Sequence, residues 1–313
     1  MAFMASEQRI IVTEFLSQEA IDWLSERAVV QQIAADDPGF NQALSVATGL
    51  IVRTYTEVNR ALLDRGPNLR VVGRAGTGLD NIDVDACRER DIEVVNAPHA
   101  NRQAVVEYVM SILSTHLRPL PPKIDRGFTS EEWAIARQNA IAPRQMSECL
   151  LGILGLGAIG KRVAEVATAI GFSVQYHDIE QIPSEHRFGA ASVDLDTLLR
   201  TSDVLTIHVD GRAGNRHFLG GDRLSNLLPT VLLINTSRGF VVDGEALAAM
   251  LCDNPDASAV LDVHESEPVS ADDPLVGLPN ACLLPHAASR TAAAQRAMSW
   301  VVQGVWHAIK VDQ

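Results

Sequence analysis

Three ionisable residues of different kinds, Arg238, Glu267 and His286, each stand at or just past an apolar, strand-like run: VLLINTS, AVLDVHES and ACLLP. In an open parallel sheet, ligands sit outside the carboxyl ends of the strands, so such a fold would gather the three on one edge. An arginine can hold a carboxylate through two parallel hydrogen bonds and help polarise the adjoining carbonyl. A histidine can give a proton to the alkoxide formed when that carbonyl is reduced, and take it back in reverse. A glutamate beside the histidine can orient the ring and stabilise its charged form. Taken singly, each has a plainer explanation: a surface ion pair, the tip of a solvated loop, a strand-end histidine beside Pro285. The chain has nine histidines, and spacing alone does not single out His286.

A second pattern lies at residues 150–160, LLGILGLGAIG. A strand-like run leads into Gly155, Gly157 and Gly160, and a helical pattern follows. GxGxxG by itself is a weak signal, but here Asp178 closes the next strand, as a dinucleotide-binding loop requires. Gly155 would make the tight turn, Gly157 would admit a pyrophosphate close to the backbone, and Gly160 would let helix and strand pack closely. The helix N-terminus supplies free N–H groups to phosphates. Asp178 would accept from ribose hydroxyls. With Glu180 two residues on and no arginine immediately following, a 2′-phosphate would be repelled, so the pattern selects NAD over NADP.

The elements that must position these groups are legible around them. A chain of 313 residues suggests about two domains. The 47% hydrophobic and 21% charged residues mark a globular protein. The net charge of −13 disfavours nucleic acid and anionic membrane surfaces, so an anionic ligand needs a few local cations. Cys87, Cys149, Cys252 and Cys282 have no metal-ligand spacing and read as reduced thiols; no metal is expected. The start MAFMASEQRI shows no leader pattern, and no apolar run is long enough to span a membrane, which makes the cytoplasm the expected location.

Strand-like runs RIIVTE, LIVRT, LRVVGRA and IEVVNAP alternate with amphipathic stretches, SQEAIDWLSE among them, over the first hundred residues. Ser17 suits an N-cap. One long helix is expected over about 101–118, stopped by Pro119, Pro121 and Pro122. The stretch KIDRGFTSEEWAIARQNAIAPRQMSE around Trp133 reads as irregular surface structure. From 150 the alternation resumes, with Asp243 as an N-cap, and TAAAQRAMSWVVQGVWHAIK reads as one final helix.

GLGAIG, INTSRG, LDVHESEP and LLPHAASRT, in that order, resemble the signature segments of the D-isomer-specific 2-hydroxyacid dehydrogenase family. VGRAGTGLDNIDVDACRERDIEVVNAP is similar to its D-3-phosphoglycerate dehydrogenase branch. The resemblance implies two doubly wound parallel-sheet α/β domains. One is a flavodoxin-like substrate domain, 1–98 plus 289–313; the other is an inserted Rossmann-type NAD domain, 99–288, with catalysis in a cleft that closes on binding. It implies catalytic Arg238, Glu267 and His286, and a cofactor set of Gly155, Gly157, Ala158, Ile159, Gly160, Asp178, His208, Thr236 and Asp262. Its substrate set is Arg53, Arg74, Gly76, Thr77, Gly78 and Arg238.

The implied reaction is NAD-dependent hydride transfer on a small D-2-hydroxy or 2-oxo acid, with 3-phosphoglycerate favoured by Arg53. Hydroxypyruvate or glyoxylate reduction is the nearest alternative; an NAD(H)-sensing corepressor is the rival from another class. The family's formate-oxidising members carry Gln where Glu267 stands. A homodimer is the family expectation, and Trp133 with its neighbours would have a place in it. Departures from the family pattern are Asp210-Gly211-Arg212-Ala213-Gly214 after LTIHV, and Ser289-Arg290 after the histidine, where small residues are usual.

Overall fold

The computed structural model describes residues 8–121 and 123–311; residues 1–7 of the start on which the leader reading rests, and Pro122, lie outside the described residues. The chain divides into two compact units, Met1–Arg102 with Ser289–Gln313, and Gln103–Ala288. No helix among the described residues is long and apolar enough to cross a membrane.

The first unit holds five parallel strands: β1 (Arg9–Val12), β2 (Val29–Gln32), β3 (Gly49–Val52), β4 (Val71–Arg74) and β5 (Glu93–Asn96), in the order β2-β1-β3-β4-β5. This is the flavodoxin-like doubly wound order, whose switch point lies between β1 and β3. Every residue of β3, GLIV, is buried, as befits a parallel strand covered on both faces. The last helix packs straight onto the sheet: a Cβ on Gly73 of β4 would lie 2.3 Å from Val305 Cγ2. The alternation in the sequence marks four of these strands. It does not mark β2, whose VVQQ is only half-buried, or the helix Phe40–Leu44.

The second unit holds seven parallel strands: β6 (Leu150–Leu154), β7 (Ser173–His177), β8 (Ala191–Ser192), β9 (Val204–Ile207), β10 (Leu232–Asn235), β11 (Ser258–Leu261) and β12 (Ala281–Leu283). Their order is β12-β11-β10-β9-β6-β7-β8. Counted within the unit this is the dinucleotide-binding order 3-2-1-4-5-6 with one strand added, and the switch point falls between β6 and β9. The expected two-sheet α/β architecture is therefore the observed one.

Two local expectations fail. The stretch read as irregular contains a helix, Ser130–Asn139, closed by a capping box in which Thr129 and Glu132 bond each other's backbone N–H. None of its residues is buried, so its sequence carries no apolar stripe to read. The final segment is two helices, Ala292–Ser299 and Val301–Val311, not one. Ser299 is buried, donates from its hydroxyl to Gln295 O at 2.8 Å and accepts from Ser17 N–H at 2.9 Å. Back-bonding of this kind bends a helix, and Trp300 N–H turns to Ala297 O. Ser17 sits at its expected cap position, but its own hydroxyl makes no cap bond.

Candidate active site

Gly155 stands at φ 93°, a left-handed conformation that favours glycine, and its N–H donates to His177 O at 2.9 Å. A Cβ there would meet the backbone of His208 and Val209 at 2.9 Å, so the chain ends leaving β6 and β9 touch at the switch point. Gly160 lies in the first turn of the helix Ala158–Ile170; a Cβ on it would lie 2.2 Å from Gly155 O. These two glycines are fixed by the protein's own packing. Gly157 is not: nothing lies within 4 Å of its would-be Cβ, and its φ of −73° suits any residue. Open space above a glycine at a helix N-terminus is what close approach of a phosphate needs.

Asp178 follows β7, and its carboxylate accepts from Leu156 N–H at 2.6 Å and Glu180 N–H at 2.9 Å. It therefore anchors the glycine loop while presenting charge at the strand end. Arg212, in the loop after β9 that departs from the family pattern, lies within electrostatic reach of Asp178 and Glu180. It is bonded in bidentate fashion to Asp210, at 2.7 and 2.5 Å. His208 bonds Thr206 Oγ1 at 2.9 Å, and burial pushes its imidazole down to about 4, which keeps the ring neutral. The hydroxyl of Thr236 is buried and has no partner among the described residues. Asp262, also expected at the cofactor, is completely buried and accepts from Ala287 and Ala288 N–H, both at 2.8 Å.

These two bonds hold the turn that carries His286. The residue has φ 51°, a strained value for a residue with a Cβ. Its Nδ1 meets Glu267 Oε2 at 2.8 Å, and the other carboxylate oxygen accepts from His264 N–H at 3.0 Å. Burial would push the Glu267 carboxyl up, but the bonds from His286 and His264 outweigh it and leave it below its usual range. His264 in turn bonds Leu284 O at 2.8 Å through Nε2, tying the loop after β11 to the segment after β12.

Arg238 follows β10, in a turn that Asn235 closes by accepting from Ser237 N–H at 3.0 Å and donating to Arg238 O at 2.9 Å. The next residue explains how this turn meets the Glu267 loop. A Cβ on Gly239 would lie 1.9 Å from His264 C and 2.4 Å from Glu265 N, so only glycine lets the two loops come this close. Sequence reasoning missed Gly239 and His264, although both lie inside the motifs INTSRG and LDVHESEP that carry the larger groups.

In the first unit, Arg53 follows β3 and Arg74 ends β4, on adjacent strands whose register pairs Val52 with Arg74. The space above Gly76 is taken: a Cβ there would lie 1.9 Å from Arg74 Nη1. Thr77 donates to Asn101 Oδ1 at 2.9 Å, and Gly78 follows in the same loop. Glu14, not singled out from sequence, accepts from the N–H groups of Arg53, Thr54, Tyr55 and Thr56 at 2.8–3.2 Å.

The geometry has counterparts. The NAD-binding domain model of the D-isomer specific 2-hydroxyacid dehydrogenases matches residues 110–288. The chain is 36% identical over 301 residues to an (S)-sulfolactate dehydrogenase of Chromohalobacter salexigens, covering 93% of this chain and 95% of that one. It is 31% identical over 298 residues to a D-3-phosphoglycerate dehydrogenase of Archaeoglobus fulgidus, covering 94% of this chain and 56% of that one. The chain thus spans about half the length of that second relative. Among solved structures, D-lactate dehydrogenase of Aquifex aeolicus, complexed with NAD and lactic acid, is similar with a TM-score of 0.82 at 25% identity, over 97% of this chain and 96% of that one.

Proposed function

The chain belongs to the D-isomer specific 2-hydroxyacid dehydrogenase family and is an NAD-dependent oxidoreductase, and on that footing we propose that Arg238, Glu267 and His286 interconvert a small D-2-hydroxy acid and its 2-oxo acid. The observation that carries this reading is the 2.8 Å contact between His286 Nδ1 and Glu267. With Nδ1 held by the carboxylate, Nε2 is the nitrogen left for substrate. In reduction, Nε2–H gives its proton to the carbonyl oxygen, and the ring ends neutral. In oxidation, the neutral ring takes the hydroxyl proton, and Glu267 stabilises the charge that appears. Arg238 holds the substrate carboxylate through its planar fork and draws charge from the carbonyl.

The cofactor groups fit NAD. The open space above Gly157, the helix N-terminus behind it, the Asp178 carboxylate and the unpartnered Thr236 hydroxyl are the groups a dinucleotide would engage. Ala158 and Ile159 supply helix N–H groups, Gly155 and Gly160 the shape of the loop, and His208 a neutral ring. Asp262 serves the cofactor end through the turn it pins. NAD, when bound, supplies or accepts the hydride.

For the substrate, Arg53, Arg74 and the loop Gly76-Thr77-Gly78 favour an acid with a second anionic group, 3-phosphoglycerate and 3-phosphohydroxypyruvate first. A second reading, sulfolactate, is favoured by the relative that matches along nearly its whole length. Its (S) descriptor agrees with a D-specific site: sulfur on C3 raises that carbon above the carboxyl in priority, so the label changes while the spatial arrangement does not. Hydroxypyruvate or glyoxylate reduction would leave Arg53 structural.

The helix Ser130–Asn139, with no buried residue and with Trp133 and Ile135 exposed, would seat a second copy of the chain. Trp133→Glu is then expected to give monomers in sedimentation. Four free cysteines suit a reducing compartment, the cytoplasm.

The test follows NADH absorbance with 3-phosphohydroxypyruvate, 3-sulfopyruvate, hydroxypyruvate, glyoxylate and pyruvate, in the wild type and in His286→Gln. Turnover that His286→Gln abolishes supports the reading. NADH binding without turnover of any acid would favour the corepressor instead.

A further inference from the structure

The loop after β11 carries Glu267, and side chains tie it down on two sides. Toward His286, His264 Nε2 bonds Leu284 O at 2.8 Å. On the other side, Glu265 reaches the loop after β9. Arg216 donates from Nη2 to Glu265 Oε1, and His217 Nε2 meets Oε2 at 3.0 Å. A carboxylate only accepts, so this imidazole nitrogen carries the hydrogen. Glu265 is thus held by two adjacent residues, one on each oxygen. Two positions on, Glu267 has one oxygen on His264 N–H at 3.0 Å and the other on His286 at 2.8 Å.

The loop that grips Glu265 is itself fixed. Asn215 donates to Asp210 O at 2.9 Å and to the Asp210 carboxylate at 3.1 Å. His217 N–H donates to Phe240 O at 2.7 Å, and Leu219 N–H to Val241 O at 2.9 Å, so residues 217–219 run beside the stretch that follows Arg238. Packing does not hold the Glu265 side of the loop in their place. A cavity of about 350 Å3 opens there, with His217, Asp243, Leu275 and Glu265 itself in its wall. A void offers its lining no contacts, so the two bonds to Glu265 are what resist movement of the loop into it. The side chains of Arg216 and Glu265 are 59% and 39% exposed. Exposed ion pairs add little to stability, so the consequence of this one lies in geometry.

We propose that Arg216 and His217, acting through Glu265, are positioning residues for the acid/base pair: they clasp the loop after β11 and so keep the Glu267 carboxylate on His286 Nδ1. This role rests on the reaction proposed above. It also accounts for the place of the clasp in the fold. The same short segment bonds the stretch after Arg238 through its backbone and the Glu267 loop through its side chains. The arginine that holds the substrate and the carboxylate that orients the imidazole are therefore set from one loop. Reacting groups need to be held within about 0.5 Å of their productive places, which takes support of this kind.

The experiment measures kcat and KM with NADH and the best 2-oxo acid in the wild type, Arg216→Ala, Arg216→Lys and Glu265→Ala, with Glu265→Ala made in the Glu267→Ala background as well. Glu265→Ala is expected to lower kcat about 10- to 100-fold, with both KM values within about twofold and Tm within about 4 °C of the wild type. Arg216→Ala should lose less, because His217 keeps its bond, and Arg216→Lys should recover most of that loss, because an ammonium can supply the one bond needed. With the Glu267 side chain gone there is nothing left to position, so Glu265→Ala should cost no more than about twofold further. A kcat within about twofold of the wild type in Glu265→Ala, or an equal loss with and without the Glu267 side chain, overturns the clasp and leaves the reaction standing. If the wild type reduces no acid, the proposed reaction is what has failed. The clasp is then read from the Nδ1–H resonance of His286 in protein with isotope-labelled histidine, assigned with His286→Gln. Loss of that resonance in Glu265→Ala upholds the clasp, and an unchanged one overturns it. Should Glu265→Ala not fold, Arg216→Ala carries the same readouts.

Discussion

The approach of the Arg238 turn to the Glu267 loop can be tested by one methyl group. In Gly239→Ala the new Cβ would lie 1.9 Å from His264 C, 2.2 Å from His264 O and 2.4 Å from Glu265 N. Carbon atoms in good contact are about 3.5–4.0 Å apart, so the loops must separate by roughly 1.5 Å. Both neighbours are backbone and cannot swing aside. His264 N–H fixes one oxygen of Glu267 at 3.0 Å, and the other fixes His286 at 2.8 Å, so the displacement passes to the imidazole. A misplacement of about 1 Å at reacting groups can cost about a hundredfold in rate, or about 2.7 kcal/mol. Overpacking should cost about 1–3 kcal/mol of stability as well. The assay is kcat/KM on the best 2-oxo acid, with a thermal melt of each protein. Gly244→Ala is the control: its nearest neighbour, Leu275 Cδ1, is at 4.0 Å, and alanine suits the first residue of a helix. If Gly239→Ala retained kcat/KM within about threefold of the wild type, the active site would not depend on this approach, and the reasoning would be wrong.

Gly157→Ala meets nothing in the protein, so its Tm should hold while NADH binding weakens tenfold or more (about 1.4 kcal/mol), read by fluorescence titration. Asp178→Ala should weaken NAD binding and narrow the preference over NADP, since the repelling carboxylate and the loop anchor at Leu156 go together; steady-state KM values for both cofactors check this. Glu14 bears on acid stability. Burial pushes its carboxyl up, but the N–H groups of Thr54, Arg53, Tyr55 and Thr56 prevail and hold it below 4.5. A lowered folded value contributes stability that is complete above the unfolded value and is lost as pH falls through the folded one. Glu14→Gln should therefore lower Tm at pH 7 by several degrees (about 1–3 kcal/mol) and by less near pH 3, a difference that thermal melts across pH would reveal.

The sequence by itself determined ten of the twelve strands, all but β2 and β8, the order of the chemistry along the chain, and the type of cofactor. Period-two and period-3.6 patterns are local, and glycine at 155, aspartate at 178 and the Arg, Glu and His of the three later motifs each follow a strand that its own residues specify. What it could not specify were contacts between segments far apart in the chain. That Gly239 lies against the His264–Glu265 peptide, that Asp262 pins the His286 turn, and that Glu14 gathers the N–H groups of 53–56 depends on which strands become neighbours. Elements without a buried face, such as Ser130–Asn139, were missed for the complementary reason: hydrophobic patterning records burial, and this helix buries nothing within its own chain.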